Sequence, residues 1–208
     1  DGVNDYVEVA TSPSLDLSTT GTFTLESQLY STATDNNYHG IVGFAPGENK
    51  DRFPGMWIIN KTGIHFGFGD GVNWYHQTGN NVLTEGAWNH VATTFDGTSL
   101  KLYVNGQEKF STDAYAGRTL NTTQQVEIGK ADNFLFEGQL DNVGVWNIAR
   151  TESEIQESIN GEVTGSESGL VGYWTFDEDP VSNTQISDLS GNGNSGLLMN
   201  GQDYNFIA

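Results

Sequence analysis

Aromatic and amide side chains adjoin one another in short segments of this chain, a combination that suits sugar recognition. The segment DGVNWYHQ places Trp74, Tyr75 and His76 directly after a turn, beside one carboxylate and two side-chain amides. A flat ring can cover the apolar face of a sugar, while amides and carboxylates hydrogen-bond its hydroxyl groups. Exposed aromatics flanked by polar groups are typical of binding surfaces. We therefore predict a ligand site at Trp74, Tyr75 and His76.

Two further loops and one strand carry related chemistry. Tyr38 and His39 follow an Asp-Asn-Asn run, and Arg52 lies between an aspartate and a phenylalanine. We add these three residues to the predicted ligand site. Trp57 falls in the apolar run MWII, where strand alternation leaves it open whether Trp57 is core or the floor of a groove. The sheet around Trp57 is therefore a competing location for the ligand.

Acidic residues are scattered singly, whereas glycoside hydrolysis needs two carboxylates about 5–10 Å apart across the sugar bond. No predicted strand carries acids on alternate residues. Glu26 stands alone in its strand, and Glu137 is followed by Gly-Gln-Leu before the next acid. We interpret both glutamates as solvated. The chain has no cysteine and no G-x-S-x-G nucleophile motif, so the sequence favours binding over catalysis.

A single carboxylate in an apolar strand is the strongest hint of a metal. Asp141 lies between Leu140 and Val143, and a buried charge is costly unless it is paired or bound to a metal. A hydrogen-bonded aspartate at a turn is the alternative. No pair of the four histidines has the helical spacing of a zinc site. His65 alternates with apolar neighbours and is predicted to face outward from a strand.

The elements that must position these side chains are short strands separated by Gly, Asn and Asp clusters. The predicted strands are 6–10, 23–31, 40–45, 56–61, 64–69, 73–78, 87–95, 100–105, 107–112, 125–129, 138–146 and 170–176. One helix is predicted at 151–160, because Thr151 and Glu154 have capping-box spacing and Ile155 and Ile159 share a face. This pattern predicts an all-β fold, a two-sheet antiparallel β-sandwich of the jelly-roll type, as a single domain over residues 1–208.

The segment WNHVATTFDGTSLKLYVNGQEKF at 88–110 carries a family likeness. Apolar residues alternate through KLYV, and Asn105-Gly106 supplies the two residues of a tight hairpin. This segment resembles the central signature of the laminin-G-like, or concanavalin A-like, jelly-roll domains. Matching blocks follow the family's order: the opening at 1–31, EGQLDNVGVWNIARTESEIQE at 137–157, GLVGYWTFDED at 169–179 and DLSGNGNSGLLMNG at 188–201.

The resemblance assigns roles to several residues. Trp88, Trp146 and Trp174 fall in signature strands and are predicted to be core, as is His90 in WNHVA. In proteins of this kind, a structural calcium ion commonly joins the N-terminal Asp-Gly turn to the aspartate of the late strand. The matching positions are Asp1 and Asp141, with a backbone carbonyl near Asn4. Family members usually carry an apolar strand before the Asp-Gly, so we expect this chain to be a processed product or an excised piece.

The resemblance also implies a function: a non-catalytic, calcium-stabilised carbohydrate-binding module of a secreted polysaccharide-acting enzyme or a surface adhesin. The expected partner is a glycan or polysaccharide. A peptide- or protein-binding adhesin module and a structural spacer are the alternatives, and a glycosidase or lyase is disfavoured. We expect a monomeric module of a longer, extracellular and bacterial protein.

The charge of the chain bears on its partners. Eight basic residues face 27 acidic ones, for a formal net charge of −19. Such a surface repels nucleic acid and anionic lipid and attracts cations. No apolar run approaches the ~20 residues of a membrane helix, so neither nucleic-acid binding nor membrane insertion is predicted.

Overall fold

The computed structural model of the chain describes residues 2–44, 53–122, 125–161, 163–177 and 185–200. Short strands dominate these ranges. In chain order they are β1 (Tyr6–Val9), β2 (Phe23–Ser31), β3 (His39–Phe44), β4 (Gly55–Ile59), β5 (Gly63–Gly69), β6 (Trp74–Gly79), β7 (Asn89–Phe95), β8 (Leu100–Val104), β9 (Gln107–Thr112), β10 (Val126–Ile128), β11 (Lys130–Ala131), β12 (Phe134–Leu135), β13 (Gly138–Trp146), β14 (Leu170–Trp174), β15 (Gln185–Ile186) and β16 (Gly196–Met199). The predicted two-sheet antiparallel sandwich of the jelly-roll type is confirmed.

Two large sheets enclose one apolar core. The eight-stranded sheet has the order β15-β16-β1-β10-β3-β4-β5-β6, and the six-stranded sheet has the order β14-β13-β2-β7-β8-β9. Alternation decides which side chains enter the core. Ile58 and Ile64 are register partners that lie in the core, whereas Trp57 and His65, the neighbouring pair, point to the outer face of the eight-stranded sheet.

A two-stranded hairpin, β11–β12, lies on that outer face. A side chain at Gly40 of β3 would meet the backbone nitrogen of Ala131 at 2.1 Å, so only glycine permits this close approach. The indole Nε1 of Trp57 donates to the carbonyl of Ala131 at 3.0 Å. Two-residue strands show no alternation, which is why the sequence pattern did not predict this hairpin. The hairpin forms one wall of the site described below.

The outer face of the six-stranded sheet is covered by the helix α1 (Glu152–Ile159). The Thr151–Glu154 capping box is present, which confirms the predicted helix start. Ile155 is buried against Ala92 of β7 and Tyr103 of β8. The helix thereby seals a surface that a bare antiparallel sheet would leave to solvent.

Glu26 lies beneath this cover, so its interpretation as a solvated acid is wrong. Only 1% of Glu26 is exposed. Its carboxylate accepts hydrogen bonds from Trp146 Nε1 at 2.8 Å, Arg150 Nη1 at 2.9 Å and Ser158 Oγ at 3.0 Å. A buried carboxylate needs such partners, because an unpaired charge is strongly disfavoured away from water.

The three signature tryptophans have two different environments. Trp146 and Trp174 are fully buried and His90 is buried, as predicted. Trp88 is 45% exposed, so its prediction as core is wrong. Strand β7 begins at Asn89, which leaves Trp88 at the end of the sheet with its ring 6.1 Å from that of Tyr30.

Among the described residues, no helix has the length and apolar character needed to span a membrane.

Candidate functional site

Trp57 and Trp74, which the sequence assigned to competing locations, are in contact. Their ring centroids are 5.7 Å apart with an edge-to-face angle of 87°. The contact follows from register, because β5 lies between β4 and β6 and pairs with both. The edge loop and the sheet face are therefore one surface, here called the aromatic cluster. Its members are Tyr38, Trp57, His65, Trp74, His76 and Phe134.

The aromatic cluster has a buried floor and a partly exposed rim. Trp57 and His65 form the floor, with exposed fractions of 4% and 6%. His65 faces away from the core as alternation predicts, but it is buried because Tyr38, Trp57 and Trp74 surround it. Its Nδ1 lies 3.0 Å from Thr78 Oγ1, which fixes the ring.

The rim rings come from three separate parts of the chain. Trp74 and His76 of β6 stack at 5.8 Å with an interplanar angle of 14°. Tyr38, just before β3, lies 5.3 Å from Phe134 of β12. Tyr38 and Trp74 are half-buried, whereas His76 and Phe134 are exposed. The rim thus offers several ring surfaces to a ligand from one side.

A shallow cavity of about 80 Å³ opens between the hairpin and the floor. Its lining residues are Tyr38, Trp57, His65, Asp132 and Phe134. This volume is far below the ~300–1,000 Å³ of pockets that enclose a small molecule. A ligand would therefore lie across the aromatic cluster, with Asp132 as a nearby hydrogen-bond acceptor. Sequence reasoning missed Asp132 and Phe134; the Asp132-Asn133 pair between short apolar runs was the available turn signal.

Tyr75 points to the opposite side of β6 from its two neighbours in sequence. Its ring packs 5.5 Å from that of Tyr115, and its hydroxyl donates to Asp70 at 2.7 Å. The backbone N–H of Asn73 and the Tyr75 hydroxyl hold the pKa of Asp70 well below its usual range. Asp70 and Tyr75 thereby stabilise the β5–β6 turn. Strand alternation therefore separates Tyr75 from Trp74 and His76.

His39 supports the loop that carries Tyr38. The Nε2 atom of His39 lies 2.9 Å from Asp35 Oδ1, and the backbone N–H of Asn37 donates to the same carboxylate. The Asn37 N–H and His39 hold the pKa of Asp35 below its ordinary value. The contacts of His39 are therefore with the loop that carries Tyr38, beside the aromatic cluster. Arg52, also predicted at the ligand site, lies outside the described residues.

Of the three predicted metal-ligand positions, the structure describes Asn4 and Asp141. Asp1 lies outside the described residues, while Gly2 packs against Glu137. The carbonyl of Asn4 accepts a hydrogen bond from Asn200 Nδ2 at 3.3 Å. Asp141 is half-buried; burial raises its pKa, and the charge of Asp177 adds to the effect. Within the described ranges, no group of three or more His, Asp or Glu side chains is placed to hold a metal ion.

Solved structures with the same fold include proteins of sugar recognition. A Bacteroides ovatus protein to which carbohydrate binding is attributed has a TM-score of 0.75 and 22% identity, over 97% of this chain and 57% of its own. The CBM40 module of the Ruminococcus gnavus IT-sialidase has a TM-score of 0.58 and 18% identity, over 75% of this chain and 95% of its own. That module is also solved with α2,3-sialyllactose bound. At these identities the likeness shows the fold.

Sequence comparison finds a curated relative and a family. Pappalysin-1 of Mus musculus is 37% identical over 75 residues, which are 34% of this chain and 5% of pappalysin-1. The chain therefore spans a small part of that relative's length. Residues 1–156 match Laminin_G_3, described as the concanavalin A-like lectin/glucanases superfamily. Because this match covers well over half of the sequence and agrees with the sandwich described above, the chain belongs to the concanavalin A-like lectin/glucanases superfamily.

Proposed function

We propose that this chain is a non-catalytic carbohydrate-binding module whose ligand lies across the aromatic cluster. One observation carries the proposal: rings from β4, β5, β6, β12 and the Tyr38 loop share one surface, whose cavity Asp132 also lines. Rings can cover the apolar C–H face of a sugar, and Asp132 can accept from its hydroxyl groups. The sugar-binding proteins among the structural neighbours support the same function.

The floor of the aromatic cluster favours binding because it is already ordered. Trp57 is held by its hydrogen bond to Ala131, and His65 by Thr78. A rigid surface loses little conformational entropy when a ligand binds, and this raises affinity without new contacts. The two floor residues thus act by positioning the rim, where Tyr38, Trp74 and His76 would touch the sugar.

A binding role agrees with the environment of the buried strand carboxylate. Glu26 is enclosed by Trp146, Arg150 and Ser158 under α1, where a polysaccharide cannot reach it. We propose that the chain acts as an extracellular module of a polysaccharide-acting protein or an adhesin. Peptide binding at the aromatic cluster and a purely structural role are the alternatives that the test below separates.

We also propose a structural calcium ion at the N-terminal turn, with Asp1, the backbone near Asn4 and Asp141 as ligands. Asp141 suits this role because it is half-buried and repelled by Asp177, so a divalent cation would offset both effects. The contact of Gly2 with Glu137 brings the turn to the start of β13, the strand that carries Asp141.

The site is tested by comparing two tryptophan variants. Trp74→Ala should weaken glycan binding at least tenfold, because a rigid aromatic anchor contributes ~2 kcal/mol or more. Trp88→Ala is the matched control, since Trp88 is an exposed tryptophan on the other sheet. Affinities would be measured by calorimetry with a glycan identified on an array.

Three outcomes would contradict the proposal. Binding that survives Trp74→Ala and fails in Trp88→Ala would place the site on the six-stranded sheet. Peptide binding without sugar competition would favour the adhesin alternative. No binding to glycans or peptides would favour the spacer.

A further inference from the structure

Resting on the proposed function, we propose that the aromatic cluster selects uncharged saccharides and rejects sialylated, uronic-acid and sulfated ones. The inference concerns the charges that face the ligand. It differs from the behaviour named for the Ruminococcus gnavus module, which is solved with an anionic sugar.

Two carboxylates lie beside the aromatic cluster in the part of the chain that the structure describes. Asp132 lines the cavity together with Tyr38 and Trp57. Asp35 lies in the loop that carries Tyr38 and accepts hydrogen bonds from Asn37. Folding holds the pKa of Asp35 below its ordinary value through the Asn37 N–H, so this carboxylate is ionised at neutral pH. An anionic sugar on the rim would therefore meet charge of its own sign.

The basic residues of the described chain are engaged elsewhere. Of the eight Lys and Arg residues, Lys50 and Arg52 fall outside the described ranges. Three of the other six pair with glutamates at 2.9 Å or less. These pairs are Lys101–Glu108, Lys130–Glu127 and Arg150–Glu26.

The remaining three described cations contact other surfaces. Arg118 lies over the ring of Tyr75, on the side of β6 that faces away from the aromatic cluster. Lys109 of β9 donates to Gln107. Lys61 lies in the β4–β5 turn and lines a separate cavity with Glu85. None of the six is among the residues that line the cavity of the aromatic cluster.

This distribution of charge opposes recognition of anions. Carboxylate and sulfate groups are bound in proteins by Arg or Lys, often with paired hydrogen bonds from a guanidinium group. At physiological ionic strength the Debye length is ~8 Å, so salt screens most of the net charge of −19 but not a carboxylate in contact with the ligand. Discrimination should therefore persist in 0.15 M salt, at a level of at least about tenfold.

The experiment uses the full chain and matched sugar pairs in 0.15 M NaCl. The pairs are lactose with α2,3-sialyllactose, xylan with glucuronoxylan, and neutral with sulfated galactan. For every pair that binds, the neutral member should bind at least about tenfold tighter. Equal or tighter binding of the charged member, lost in Trp74→Ala, would overturn this inference and leave the proposed function intact. No binding to any member of the panel would overturn both.

Two charge variants test which group causes the discrimination between neutral and charged sugars. Asp132→Asn should narrow the ratio of the affinity for the neutral sugar to that for the charged sugar at least about threefold, because it removes the acid that lines the cavity. Glu157→Gln removes the same charge from the exposed side of α1 and should leave the ratio unchanged. Equal narrowing in both variants would assign the discrimination to net charge and overturn the role of Asp132. Anionic binding that disappears in Arg52→Ala would show a cation at the site and overturn selectivity for neutral sugars.

Discussion

Trp88 and Trp146 share a residue type and lie at opposite extremes of burial. Trp146 is fully buried, donates its indole N–H to Glu26 and stacks beneath the guanidinium of Arg150 at 3.9 Å. Trp88 lies at the end of β7 with nearly half of its surface in water. Burial and hydrogen bonding determine the contribution of each residue to stability, and their place in a signature motif does not.

Truncation should lower stability strongly at Trp146 and only weakly at Trp88. Trp146→Ala should lower the free energy of unfolding by ~3–5 kcal/mol, because it leaves a cavity and removes a donor from Glu26. Trp88→Ala should cost under ~1 kcal/mol, because it removes an exposed side chain. Urea unfolding followed by circular dichroism would measure both. A large loss in Trp88→Ala, equal to that of Trp146→Ala, would contradict the assigned environments.

The sequence patterns singled out aromatic residues that could bind a sugar, but they did not predict which of these rings are in contact. Trp74 and His76 stand out in the sequence as aromatics near polar groups, and Trp57 as a tryptophan in an apolar run. Their contact depends on the register of β4, β5 and β6, with His65 between the two tryptophans. Register is a tertiary property that one sequence does not reveal. Tyr75 was grouped with Trp74 and His76 although alternation along the predicted strand 73–78 places it on the other side.

At the scale of elements, the longest strands were predicted with their exact bounds, whereas the two-residue strands were not predicted. The predicted span 23–31 equals β2, and 138–146 equals β13. The β11–β12 hairpin has only two residues a strand, too few to show a period. It nevertheless supplies Asp132 and Phe134 to the aromatic cluster. The unpredicted part of the site is therefore the part built from the shortest element.

Gly40 tests whether this hairpin supports the site. Gly40→Ala places a methyl group where Ala131 N now lies, so the hairpin must shift, at a cost of ~1–3 kcal/mol. Loss of the Trp57–Ala131 hydrogen bond should follow, with glycan binding at least about fivefold weaker. Gly43→Ala is the graded control, since its methyl would meet the side chain of Ala131 at 3.2 Å and the backbone of Gly55 at 3.4 Å, both much looser than the contact at Gly40. Equal binding in wild type and Gly40→Ala would remove the hairpin from the site.

At the scale of the whole molecule, the proposed calcium ion would join the first turn to the late strand β13. A metal that binds only the native state stabilises it by about 2.7 kcal/mol at a hundredfold excess over Kd. For a chain of this size, a chelator should then lower the Tm by roughly 5–10 °C. Calorimetry with and without EDTA measures the shift. An unchanged Tm, with no metal found by elemental analysis, would contradict the proposal.

The pKa of Asp141 gives a second signature of the ion. Burial raises this pKa in the folded chain, so without metal the ionised carboxylate lowers stability as pH rises through its folded pKa. Asp141→Asn should therefore raise the Tm slightly in EDTA at pH 7 and lower it in calcium, where a ligand is lost. The same sign of change under both conditions would argue against Asp141 as a ligand.

The aromatic cluster is complete only when the chain has finished folding. Tyr38, Trp57, Trp74 and Phe134 meet in space but are spread along the chain, from just before the third strand to the twelfth. Contacts between such distant positions form slowly, because each closes a long loop of chain. No nascent hairpin or proteolytic fragment short of this span can display the complete surface. Capture on a sugar resin would therefore separate chains that have completed folding from those that have only collapsed.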